Sequence, residues 1–64
     1  MILFIQDIKT EDVLFQTNDA FAVPAVGEEL KVNHCWYRVV KRNFYFKGLE
    51  YIHDNSVTLW VEEI

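Results

Sequence analysis

One cysteine, one proline and two glycines are all that this chain of 64 residues holds of the residue types that usually staple or punctuate a small fold. Cys35 has no partner, so an intrachain disulfide is excluded and a reducing compartment is the simpler setting. The N-terminal run Met1–Ile5 is apolar but has no basic lead-in. It is broken at Gln6-Asp7, well short of a signal h-region or a membrane span. A soluble, cytoplasmic protein is therefore expected. Asn-x-Ser/Thr sequons and low-complexity stretches are missing too. With neither a nucleophile elbow nor a Gly-rich phosphate loop, enzymatic activity is not expected.

What is present is apolar and aromatic. A chain of this size buries only about 60% of its unfolded surface, and burial minus entropy comes out near zero. Five Phe, three Tyr and two Trp supply much of the available core, since each ring buries a large area. That apolar content exceeds what so small a core takes up. A homodimer is expected, through an edge strand or through the N-terminal strand, whose two faces both begin apolar.

The net charge of −4 conceals a segregation. Between Leu30 and Gly48 stand Lys31, Arg38, Lys41, Arg42 and Lys47 with no acid, while the rest of the chain carries all ten acids and only Lys9. One reading is a binding face. The other is cross-strand neutralisation, a basic strand lying between acidic neighbours, and weak exposed pairs of that kind are common.

Along the chain the periodicity is that of strands. Residues 2–8 are β-branched and aromatic, suited to a pleated surface, and Lys9–Asp12 is turn-like. Val13–Thr17 alternates; a helix over Asp12–Ala22 is the competitor, weakened by Thr17, Asn18 and Asp19. Phe21 is the expected anchor of the following connection. Pro24 biases Val23 toward an extended conformation, and Gly27 supplies a positive φ where the chain turns. Glu28–Val32 is a short strand and Asn33-His34-Cys35 a tight reversal. Trp36–Phe46 is long, and its alternation changes phase near Val39-Val40, which predicts a β-bulge or a sharp coil of the strand. Leu49–His53 is a short strand or an ordered loop. Val57–Glu63 alternates most cleanly, with Val57, Leu59 and Val61 inward and Thr58, Trp60 and Glu62 outward. The expected fold is a single all-β domain over residues 1–64, a small SH3-like five-stranded barrel or a strongly bent antiparallel sheet.

The succession Pro24-x-Val26-Gly27-Glu28-Glu29-Leu30, Trp36-Tyr37-Arg38-Val39-Val40 and Val57-x-Leu59-x-Val61-Glu62-Glu63 resembles that of small uncharacterised phage and bacterial proteins. The resemblance spans residues 23–63. It implies an SH3-like barrel and carries no activity. The chain departs from that pattern at Phe44-Tyr45-Phe46 and at Leu49–His53, where a function particular to it is expected.

Three sets of residues compete as a site. His34, Cys35 and His53 lack the paired spacings of structural zinc, so no metal or cofactor is expected, and Cys35 reads as a quiet cysteine packed against Trp36. The second set is Trp36, Arg38, Lys41, Arg42 and Tyr45, whose cations and rings are what a single-stranded nucleic-acid groove requires. Arg38 and Arg42 share a face with Trp36 only if no bulge intervenes, and an overall acidic chain opposes phosphate binding. The third set is Trp60 and Tyr51 rimmed by Glu50, Asp54 and Glu62, an aromatic and acidic surface of the type that anchors protein interfaces. The function expected is that of a non-enzymatic protein-binding accessory or inhibitor module. Nucleic-acid binding and a structural, virion-type role are the alternatives.

Overall fold

The computed structural model describes residues 1–20, 22–47 and 55–64. Its strands are β1 (Ile2–Asp7), β2 (Val13–Thr17), β3 (Glu29–Val32), β4 (Cys35–Tyr45) and β5 (Ser56–Glu63). They form one sheet in the order β2-β1-β5-β4-β3, curled into a half-barrel. Residues 13–17 are thus a strand, not the start of a helix. The sheet is mixed, which corrects the expected antiparallel one: β1 and β5 run parallel, from Ile2↔Ser56 to Asp7↔Val61. The reason is directional. Each successive strand reverses the chain, so the fifth points as the first did, and two such strands laid side by side pair in parallel.

Alternation decides what is buried. Leu3 and Ile5 of β1 face the concave side beside Val57 and Leu59 of β5, and Tyr37 and Val39 of β4 complete the layer with Val61 and Val32. Val57, Leu59 and Val61 are fully enclosed, as expected of the middle strand of five. Leu14, Val23, Leu30 and Cys35 pack around this centre. Cys35 therefore turns into the core, on the opposite side of β4 from Trp36, and the expected contact between them is not made. Successive residues of a strand point to opposite faces. β1 has ladder partners on both edges, so its two-sided apolar character belongs to a strand inside the sheet.

Two bulges give the sheet its curl. On β4, Val39 pairs with Val61 and Lys41 with Trp60, so Val40 is the extra residue. This is the bulge that the phase change predicts. On β2, Ile5 faces Phe15 and Gln6 faces Val13, which leaves Leu14 as the extra one. A bulge bends its strand and increases the local twist, as closure of a small barrel demands.

The turns are built by named groups. Asp7 caps the β1–β2 reversal: its carboxylate accepts the amides of Lys9 at 2.8 Å and Thr10 at 3.3 Å, an Asx-type turn that needs no glycine. Ahead of β3, the Glu28 amide donates to the Ala25 carbonyl at 3.1 Å across Val26-Gly27. Gly27 has φ 93°, the conformation of the third residue of a type II turn. The Gly27 amide then donates to the Val39 carbonyl and the Val39 amide to the Glu28 carbonyl, both at 2.9 Å. Between β3 and β4 the reversal is Asn33-His34, with Asn33 at φ 57°, a value asparagine tolerates better than most residues.

Candidate binding surface

The site is one half of one strand. β4 pairs with β5 along most of its length, from Tyr37↔Glu63 to Tyr45↔Ser56. Its other edge is covered only in part: β3 takes Cys35–Arg38, and the Gly27-Glu28 turn takes Val39. Beyond Val39, among the described residues, nothing pairs with that edge. Eleven residues at about 3.3 Å each span about 36 Å, close to the molecule's long dimension of 39 Å. The distal half of β4 is an arm that runs beside core residues Leu59 and Val57 of β5.

Every residue of that arm is exposed. Phe44, Tyr45 and Phe46 are 45%, 59% and 64% accessible. The Phe44 and Phe46 rings lie parallel, 2° apart in plane with centroids 6.0 Å apart, and the Arg42 guanidinium sits 5.3 Å from the Phe44 ring. By register, Arg42 and Phe44 share the concave side with Leu59 and Val57, whereas Lys41, Asn43 and Tyr45 share the outer side with Trp60, Thr58 and Ser56.

The residues singled out from sequence fall as follows. Trp36, Arg38, Lys41 and Tyr45 lie on the outer face; Arg42 does not, because the Val40 bulge shifts it to the concave side. The shared face for Arg38 and Arg42, conditional on an unbroken strand, is thereby removed. Arg38 stands between Glu29 of β3 and Glu62 of β5 and contacts the Glu29 carboxylate at 3.4 Å. Cross-strand neutralisation thus operates at Arg38. Among the described residues no carboxylate lies within 4.0 Å of Lys41, Arg42 or Lys47. Lys31 covers the exposed Trp36 ring at 5.9 Å. Trp60 faces outward but is half-buried, and its indole N–H donates to Asn43 Oδ1 at 2.9 Å. Tyr51, Glu50 and Asp54 lie outside the described residues, as do Phe21, the Leu49–His53 segment and His53.

Two further features need only brief account. Burial, with the Cys35 thiol and the Glu63 carboxylate beside it, pushes the Tyr37 hydroxyl above the ordinary tyrosine value. A cleft of about 220 Å³ opens between the two edge strands, lined by Ile5, Phe15, Leu30, Lys31, Val32 and Asn33. It is smaller than the ~300–1,000 Å³ usual for ligand pockets. No three His, Cys, Asp or Glu residues gather as metal ligands among the described residues, and no helix there is long and apolar enough to cross a membrane.

No family model, curated protein or solved structure matches this chain.

Proposed function

We propose that the protein is a non-enzymatic binding module that docks onto another protein through the distal half of β4. The observation that carries this reading is the exposed Phe44-Tyr45-Phe46 run, with two rings stacked on each other and none in the core. Aromatic residues concentrate where interfaces are anchored, and a few of them supply most of the binding energy. Trp60 then acts as a support, its indole N–H holding Asn43 and through it the outer face of the arm.

The test is affinity purification from the source cells with the wild-type chain and with Phe44→Ala/Phe46→Ala. A protein retained by the first and lost by the folded double variant is expected; capture unchanged by the double variant removes the reading. Loss of two anchors corresponds to at least a ~30-fold weakening, about 2 kcal/mol.

One observation favours a second reading. Lys41, Arg42 and Lys47 have no carboxylate within ion-pair distance among the described residues, and they flank rings on which bases could stack. In that case single-stranded DNA or RNA binds with a steep salt dependence, and Lys41→Ala/Arg42→Ala flattens the slope by about two contacts' worth. The net charge of −4 opposes it, and an oligonucleotide titration at low salt decides between the two.

A further inference from the structure

The edge of β4 that is unpaired among the described residues points to a kind of partner. We propose that the arm is completed by an extended acidic strand of another protein, added antiparallel to β4 over residues 40–45. This rests on the protein-binding reading above and goes beyond it by naming the mode of docking and the chemistry of the occupant.

Backbone sets the mode. Over residues 40–45 β4 has β5 on one side and, among the described residues, no backbone partner on the other. Six residues is the ordinary length of a strand. Sheet edges of this length are usually covered or blunted, and an extended segment laid along one is a recurrent mode of recognition. Antiparallel pairing is the commoner geometry.

Side chains set the chemistry. Lys41 points to the outer face and Arg42 to the concave face, so an added strand meets a cation on both faces at adjacent positions. Acidic residues opposite Lys41 and Arg42 form cross-strand pairs of opposite charge. Farther along, Phe44 and Tyr45 present rings on the two faces and call for β-branched or aromatic neighbours. The recognised strand, read from its own N-terminus, is apolar, apolar, polar, acidic, acidic. Against a second copy of this chain the same cations act as a guard. Pairing about a two-fold at Lys41 or Arg42 sets like charges directly opposite, which is destabilising. A register centred on Asn43, which places Lys41 against Tyr45 and Arg42 against Phe44, escapes this conflict.

The probe is a capped peptide, Thr-Ile-Val-Thr-Glu-Glu-Thr, titrated to millimolar concentration into the full chain, with amide hydrogen exchange read residue by residue. Protection of amides within residues 40–45 is expected to rise at least tenfold. The effect should weaken with added salt, and it should be absent for a peptide carrying Lys-Lys in place of Glu-Glu and for one with proline at its centre. Lys41→Glu/Arg42→Glu, which alters only exposed side chains, should reverse the preference between the two charged peptides. No protection at millimolar acidic peptide overturns the proposal, as does equal protection by both. Protection without peptide, rising with protein concentration together with a dimer mass in light scattering, assigns the edge to a second copy instead. Ring shifts at Phe44 and Phe46 without amide protection leave the protein-binding reading standing and remove this one. Displacement of the acidic peptide by a single-stranded oligonucleotide that binds more tightly removes both.

Discussion

The two halves of β4 share a strand, a partner in β5 and much the same residue types, yet they behave as different materials. In Cys35–Val39 the inward residues Tyr37 and Val39 are 7% and 1% accessible, both edges are paired, and the one cation sits between two carboxylates. In Lys41–Tyr45 one edge is open among the described residues, both faces are exposed and two cations stand beside the rings. Composition does not produce the difference, since each half holds aromatics and bases. Coverage does: β3 and the Gly27 turn end where the Val40 bulge begins. A side chain's contribution here depends on whether a third strand lies alongside.

The sharpest way to break that comparison is to truncate one ring in each half. Tyr37→Ala should cost about 3–5 kcal/mol, a large share of the roughly 3–10 kcal/mol that a chain of this size has in total. Phe44→Ala should cost no more than about 1 kcal/mol, the scale of a stacking contact on the surface. Urea midpoints measure both, and equal losses would mean that the arm is core after all.

A smaller effect is expected at the boundary. Gly27 sits at φ 93° with nothing within 4 Å of where a Cβ would lie, so Gly27→Ala is strained by its backbone alone, at about 1–2 kcal/mol. Because the Val39 amide donates to the carbonyl of Glu28, the residue next to Gly27, this variant should also speed amide exchange at Val39, extending the open edge by one residue. Hydrogen exchange that stays unchanged there would show that the turn does not define the boundary.

The smallest difference separates the cations. Arg38→Ala should cost about 0.2–1 kcal/mol, less in high salt, because both partners of the Arg38–Glu29 pair are about half exposed. Arg42→Ala should leave stability within about 0.5 kcal/mol at any salt concentration. A salt-dependent loss at Arg42 exceeding that at Arg38 would reverse the assignment of which cation is neutralised.

Much of this contrast was legible in the residues themselves. The bulge shows in the sequence because alternation after Val39 changes phase, and a one-residue slip cannot be hidden in a period of two. Val57, Leu59 and Val61 were legible for the same reason, and Phe44-Tyr45-Phe46 stood out as a departure from the pattern that the chain resembles. Strand order was not. Alternation says which side a residue faces but not which strand lies beside it, so the parallel β1–β5 pair is absent from the pattern. The half-burial of Trp60 escaped likewise: its partner Asn43 becomes a diagonal neighbour only after Val40 shifts the register. The same slip moved Arg42 away from Arg38. Single residues were readable; juxtapositions created by a slip were not.

The parallel pairing of β1 with β5 also bears on how the chain is made. The middle strand of the sheet is the last of the five to be synthesised, and the Ile2↔Ser56 contact joins the first strand to it across almost the whole sequence. Until β5 emerges, β1-β2 and β3-β4 are separate hairpins with no common core, and isolated hairpins are at best marginally stable in water. Ordering therefore waits on late, long-range contacts, a topology that slows folding. While it waits, the nascent chain displays Leu3, Ile5 and the aromatic arm together, and a chaperone or early partner would meet them before the sheet exists.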